Sequence, residues 1–305
     1  MWNNVFRWVS ETIGESKRFR VRLEPYGALV FDKYSEVIIE LNEDEVKQLL
    51  GRNIALPKER IAPIYAHIEL TNQCNLNCPE CYVERKQEHL SFQQLKSIIH
   101  KLAMAGVFSI TFGGGEPLLR KDVFKLAKYA RGLGLGVSMT TNGTLLKPAS
   151  ELSLFHQINF SIHHNLPEIE PTIVAAKKYT KVGINLIAED GHEIKNIANF
   201  CRLNDIELLL LAYKPVGRIK QAISANEVPF IAMKLAQEGV KVAVDGLAIG
   251  TCRAANDFVD ISCEGDVYPC SFIRKSIGNM LKQDFSDIWQ NRPKTVECPF
   301  KQNPF

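Results

Sequence analysis

Three cysteines, Cys74, Cys78 and Cys81, stand at intervals of four and three in the stretch ELTNQCNLNCPECYVE, residues 69–84. A disulfide consumes two thiols, and a closed structural zinc site takes four ligands. Three thiolates on one short loop suit a compact centre with more than one metal. A 4Fe–4S cube has four irons and is commonly held by four cysteines, so three leave one iron open to a small molecule. A zinc site completed by His89 is the alternative reading, although zinc sites favour paired C-x2-C elements.

Two further sets of residues have types suited to chemistry. In GGGEP, Gly114 and Gly115 permit positive φ and close backbone approach, and Glu116 can accept a charge-assisted hydrogen bond from an α-amino group. A second cysteine group, Cys252, Cys263, Cys270 and Cys298, lies within 47 residues near the C-terminus. In a reducing compartment such a group points to metal binding rather than disulfides, with structural zinc and plain packing as competing readings. Cys201 stands alone in a helix-like segment and reads as packing.

The elements that must position these residues alternate. Strand-like runs at 64–70, 107–112, 136–141, 158–163, 184–189 and 206–213 are separated by helix-period segments at 91–106, 121–134, 148–155, 168–183 and 193–205. Ser91 is placed to cap the first helix and Gly106 to end it, and Pro171 falls in the first turn of the 168–183 segment. This alternation implies βαβ crossovers and a parallel sheet, either an open barrel or a doubly wound sheet. In both, chemistry gathers after the carboxyl ends of the strands. The cysteine loop, GGGEP, TTNGTLL (140–146) and PVGR (215–218) each follow a strand.

The joint pattern, C-x3-C-x2-C after the first strand and Gly-Gly-Glu after the second, resembles the radical S-adenosylmethionine (SAM) superfamily. The resemblance implies an α/β fold, a partial (β/α)6 TIM-like barrel over residues 61–240. Its 4Fe–4S cluster, on Cys74, Cys78 and Cys81, would chelate SAM through the open iron. Reduction would cleave SAM to methionine and a 5′-deoxyadenosyl radical that abstracts hydrogen from substrate. By the same resemblance Gly114, Gly115 and Glu116 hold the SAM ammonium. Thr141 or Asn142 reaches the methionyl or ribose groups, unless the Asn-Gly pair is simply a turn, and Ser161 contacts SAM. His163 and His164 either touch substrate or are structural, and Arg218 either holds a carboxylate or pairs on the surface. The residue before the third cysteine, often aromatic in this family, is Glu80 here, with Tyr82 just after.

Residues 252–272 with IGNM and DFSDIW resemble a SPASM or shorter twitch module, so 241–305 is expected to be a cysteine-rich, twitch-like extension. A full SPASM module carries more cysteines and a second cluster. Four cysteines support at most one auxiliary 4Fe–4S cluster, on Cys252, Cys270 and Cys298, with Cys263 an unusual fourth ligand or incidental. Residues 1–60 form a small N-terminal α+β module: VRLEPYGALVFDKYSEVIIEL is strand-like and a short helix opens at Asn42. It loosely resembles the leader-peptide-recognition domain of peptide-modifying members.

The expected activity is therefore that of a radical SAM maturase acting on a peptide or protein substrate. The alternatives are a maturase of a small cofactor precursor, of tetrapyrrole or metallopterin type, and an iron–sulfur electron carrier without catalysis. A low-potential electron donor such as ferredoxin or flavodoxin is the expected partner. Composition excludes little but shapes the rest. The 305 residues are 46% hydrophobic and 23% charged with a net charge of +3, which is ordinary for a globular chain. Lys- and Arg-rich stretches read as solvated helix faces, so no nucleic-acid partner is expected. The apolar run IELLLLAY is too short to span a bilayer, and the N-terminus lacks a secretory pattern; a cytoplasmic location is expected.

Overall fold

The computed structural model describes residues 18–51, 53–79, 81–85, 89–162, 165–188, 191–215 and 227–300. Glu80, His163, His164 and Arg218 lie outside the described residues.

A small antiparallel sheet comes first, with β1 (Phe19–Glu24), β2 (Gly27–Asp32) and β3 (Ile38–Asn42) in that order. Helix α1 (Glu43–Leu50) follows, opened by a capping box in which Asn42 and Glu45 satisfy each other's backbone N–H. Val46 of α1 packs on Leu23 and Ala28. The sheet also meets the larger domain, where Phe31 stacks on Phe108 with ring centroids 5.3 Å apart.

The larger sheet contains β4 (Tyr65–Thr71), β5 (Ser109–Gly114), β6 (Gly136–Thr141), β7 (Gln157–Ser161), β8 (Lys181–Ile187) and β9 (Glu207–Leu211), parallel and in sequence order. Helices α2 (Phe92–Ala105), α3 (Val123–Gly132), α4 (Leu166–Ala176) and α5 (Gly191–Asn204) lie between the strands, and α6 (Val228–Gln237) follows β9. Ser91 and Gln94 form the expected capping box on α2, and Gly106 closes that helix in the left-handed conformation.

Helix α4 departs from the expected 168–183. It begins at Leu166 and ends at Ala176, so Pro167 takes the first turn and Pro171 sits inside the helix. Lys181–Ile187 is strand instead, because Val182, Ile184 and Leu186 alternate into the core.

The sheet does not stop at β4 and β9. Strand β10 (Val242–Val244) pairs with β9, and β11 (Phe258–Ile261) pairs in parallel with β4, followed by β12 (Asp266–Tyr268) and β13 (Gly278–Asn279). Helix α7 (Phe285–Gln290) sends Phe285, Ile288 and Trp289 into the same core as the barrel. The C-terminal segment thus extends the barrel sheet on both sides.

The N-terminal module is fastened to the base of this sheet, at the amino ends of its strands. Arg20 donates to the carbonyls of Ala103 and Val107 at 2.9 and 2.8 Å, and Arg22 to those of Pro63 and Gly106, both at 2.8 Å. Cations thereby meet the carbonyls at the negative dipole end of α2. Arg22 pairs with Glu24, Glu24 with Arg60, and Arg60 with Asp257 just before β11. The ion pairs tie the N-terminal module to the C-terminal segment, and the arginine–carbonyl bonds tie it to the barrel.

Glu36 makes the opposite kind of contact. Its nearly buried carboxylate accepts from the Val137 N–H at 3.1 Å and pairs with Arg131 at 3.2 Å. Burial outweighs these partners and pushes its pKa from 4.5 up to about 7. The folded chain therefore binds this proton more tightly than the unfolded chain. The associated stability is full below pH 4.5 and is lost as pH rises through 7. Glu36→Gln should flatten that decline and add roughly 2 kcal/mol at pH 8, as read from urea unfolding of both proteins at pH 5 and pH 8.

Candidate active site in the barrel lumen

A cavity of about 270 Å³ opens at the carboxyl ends of the strands. It is lined from β4 by His67, from β5 by Gly113 and Gly114, from β6 by Thr140 and Thr141, from β7 by Ser161, from β8 by Asn185 and from β9 by Leu211. In a flat sheet β4 and β9 would lie about 24 Å apart, at about 4.8 Å per strand. One small cavity touching both requires the sheet to curl, as in a partial TIM-like barrel.

The thiols of Cys74, Cys78 and Cys81 all border this cavity. Their loop is held by short-range bonds: Cys74 Sγ accepts from the Leu76 N–H at 3.4 Å, and the Cys81 N–H donates to the Cys78 carbonyl. Asn142 reaches across from the end of β6, donating Nδ2 to Asn75 Oδ1 at 2.9 Å and lying 3.8 Å from Cys74 Sγ. The same Asn142 accepts the Thr144 N–H at 3.0 Å. It is therefore both the turn residue of Asn-Gly and a lining residue of the cavity. Among the described residues no three Cys, His, Asp or Glu groups gather closely enough to hold a single metal ion, and His89 is exposed. All three cysteines line one cavity, and three thiolates on one loop are a donor set that fits an iron–sulfur cluster.

The glycine wall is a steric requirement. Gly114 has φ near +105°, and a Cβ there would lie 2.3 Å from the Thr71 carbonyl oxygen. A Cβ on Gly115 would lie 2.1 Å from the Gln73 carbonyl oxygen. These close approaches put GGGEP directly behind the cysteine loop, an arrangement completed by Gly115 N–H···O=C Thr71 and Glu116 N–H···O=C Gln73 bonds.

Glu116 is placed differently from its neighbours. It is fully buried behind the glycines, with Oε1 accepting from the Leu118 N–H and Thr141 Oγ1 at 3.0 and 2.8 Å and Oε2 from the Asn142 N–H at 2.8 Å. Burial outweighs these donors and raises its pKa. In this arrangement its carboxylate pins the loop that carries Thr141 and Asn142.

The C-terminal segment supplies the remaining wall. Ser271 and Phe272, directly after Cys270, line the cavity, and Tyr82, directly after Cys81, meets Phe272 with ring centroids 4.9 Å apart. Lys214 also lies over Phe272, 4.7 Å from the ring centroid, and pairs with Asp245. Burial raises the pKa of the Cys270 thiol, and hydrogen bonds from the Phe272 and Ile273 backbone oppose it. Cys263 is buried at the turn between β11 and β12, and Cys201 is buried in α5.

Several cavity residues were absent from the sequence-based candidates: His67, Tyr82, Lys214, Ser271 and Phe272. One signal for His67 was present. In YAHIELT, His67, Glu69 and Thr71 alternate with apolar residues, although a strand of a doubly covered parallel sheet should be apolar on both faces. Polar residues on one face mark a lumen.

Comparison with known proteins agrees with this geometry. Residues 68–201 match the model of the radical SAM superfamily, and residues 252–304 match the SPASM iron–sulfur cluster-binding domain. The chain carries a radical SAM domain followed by a SPASM domain. These make it an enzyme whose cofactors are 4Fe–4S clusters and SAM.

The AdoMet-dependent heme synthase of Methanosarcina barkeri is 26% identical over 75% of this chain and 83% of its own length. Mycofactocin maturase MftC of Mycobacterium ulcerans is 27% identical over 76% of each. The crystal structure of Streptococcus suis SuiB bound to its precursor peptide SuiA shares the fold, with a TM-score of 0.73 at 18% identity, covering 90% of this chain and 87% of that one. No helix among the described residues is long and apolar enough to cross a membrane.

The Glu116 geometry carries a prediction. A Gln at 116 would aim an amide NH2 at one of the donors now bound, leaving a buried N–H unsatisfied at about 1–3 kcal/mol. Glu116→Gln should lower stability by that amount in chemical unfolding and weaken SAM binding by calorimetry. An unchanged protein would show that Glu116 does not organise this loop.

Proposed function

We propose that this radical SAM enzyme is a maturase acting on a peptide or protein substrate. Cys74, Cys78 and Cys81 would hold the cluster that binds SAM. Gly114, Gly115, Thr141, Asn142 and Ser161 would shape the SAM site, with Glu116 fixing Thr141 and Asn142 from behind. Arg218 is a further candidate from the sequence. Cys252, Cys270 and Cys298 would hold one auxiliary cluster, leaving Cys263 as the candidate fourth ligand. The cluster on Cys74, Cys78 and Cys81 would, when bound and reduced, supply the electron for reductive cleavage of SAM, the source of the radical that would take hydrogen from substrate. The chain's own part is to position substrate and exclude water. A low-potential donor such as ferredoxin or flavodoxin would deliver the electron.

The observation that favours a peptide is strand β3. Among the described residues it pairs only with β2, and Val37 and Ile39 beside and on it are 52% and 48% exposed. An apolar strand edge can accept an extended peptide by β-augmentation. The module sits at the amino ends of β4–β6 and the cavity at their carboxyl ends, a six-residue strand apart. That is about 20 Å. A bound leader would thus be separated from the modified residue by at least about six extended residues. The second reading, maturation of a small cofactor precursor, is supported by the heme synthase relatives.

Two measurements test this reading. Anaerobically reconstituted protein should form 5′-deoxyadenosine from SAM on dithionite reduction, and Cys74→Ala should abolish it; none from the wild type would leave only an electron carrier. The Cys74/Cys78/Cys81→Ala triple variant should keep iron and sulfide in the SPASM domain, and an iron-free variant would remove the auxiliary cluster. For the substrate, Ile39→Asp should weaken binding of a leader peptide encoded beside the gene by tenfold or more, an order of magnitude per ~1.4 kcal/mol. Absence of any peptide affinity would favour the cofactor reading.

A further inference from the structure

His67 stands on β4 with its side chain towards the lumen, and 13% of that side chain is exposed. Its partner in the parallel pairing of β4 with β11 is Asp260, and the Asp260 carboxylate binds His67 Nδ1. Asp260 is held in turn: it is fully buried and accepts from Ser271 Oγ at 3.1 Å and Arg274 Nη1 at 2.8 Å. Arg274 also reaches Glu69, two residues along β4, at 3.0 Å and stacks on Tyr268 at 4.5 Å. The imidazole therefore has a fixed ring plane and keeps a proton on Nδ1, and in the charged ring Nε2 carries the second one.

The other nitrogen faces β5. A Cβ on Gly113 would lie 2.2 Å from His67 Nε2, so the strand carries a glycine where the ring approaches. Gly113 and His67 both line the cavity, and Nε2 has no hydrogen-bond partner among the described residues. The second nitrogen thus lies against a strand that has no side chain there, between two residues of the cavity wall.

We propose that His67 is a catalytic residue whose Nε2–H donates to a carbonyl or carboxylate oxygen of the substrate. This rests on the reading that substrate is processed in this cavity. No proton changes hands: the imidazolium binds and orients the oxygen. Burial opposes the charged ring, but the hydrogen bond and charge of Asp260, with Glu69, outweigh burial and raise its pKa, while Arg274 opposes them. Tyr82 and Tyr268 are the other titratable groups near this set. Two carboxylates, one guanidinium and one imidazolium sum to zero. The site can thus offer a strong donor without a net charge, which suits a neutral carbonyl as well as a carboxylate.

Diethyl pyrocarbonate, which acylates neutral imidazole, tests this on the reconstituted holoenzyme when each modified histidine is mapped by peptide mass. His67 should react with a pH midpoint above the ordinary 6.5, and Asp260→Asn should speed its reaction at pH 6.5 by about tenfold, the change expected for one pKa unit. The compounds 3-phenylpropionate or 3-phenylpropionamide should slow the reaction at His67 by about threefold or more, and 3-phenylpropanol should not. Protection by either of the first two supports the donor role and distinguishes carboxylate from carbonyl. The proposal is overturned if His67 resists the reagent at every pH while His89 and His100 react. A midpoint at or below 6.5 also overturns it, as does protection by none of the probes or equally by the alcohol. Should Asp260→Asn fail to fold, the wild-type midpoint and probe protection still decide. None of these readouts uses SAM or reductant, so failure here is separable from failure to form 5′-deoxyadenosine.

Discussion

Two carboxylates, Glu69 on β4 and Asp260 on β11, stand on neighbouring strands inside the protein, and Arg274 lies between them. Without that guanidinium, like charges would share a poorly solvated space, and a proton would have to be taken up to relieve them. Arg274 comes from the SPASM domain, Glu69 from the barrel. The ion pairs therefore only form when β11 is zipped onto β4, and the site behind them is complete only in that state.

The rest of the architecture follows from this junction. Because β11 continues the barrel sheet, the segment after Cys270 enters the lumen rather than solvent, and Ser271 and Phe272 become cavity wall. Phe272 meets Tyr82 on the first cysteine loop and Lys214 after β9. The two cysteine groups are thus joined through one aromatic contact, so order in the C-terminal thiol loop and the shape of the barrel cavity are linked. At the other end, Arg20, Arg22, Glu24 and Arg60 fasten the N-terminal module to the carbonyls of α2 and to Asp257. The molecule has its chemistry at one end of the strands and its exposed strand edge at the other.

Much of this was legible beforehand because it rests on local rules. Ser91, Gly106 and Asn42 act at their own helix ends, where the bonds they form span three or four residues. The βα alternation and the placement of each motif after a strand needed only periodicity and turn residues. The expected extent of α4 failed for a non-local reason: Lys181–Ile187 can extend as strand because β7 and β9 flank it. The role of Glu116 was also partly hidden, since its partners Thr141 and Asn142 are 25 and 26 residues away.

By itself, the amino-acid sequence determined the type of chemistry: three thiols at intervals that fit one loop, glycines that fit behind it, and a second cysteine group. Spacing within a loop is a local geometric property, so residue order alone carries it. Only the tertiary structure decided which side chains face the common space. His67 with Asp260, Arg274 with Glu69, and Phe272 with Tyr82 are all about 190 or more residues apart. Their encounter depends on sheet order, curl and register, and these are set by burial of the whole core rather than by any short stretch of chain.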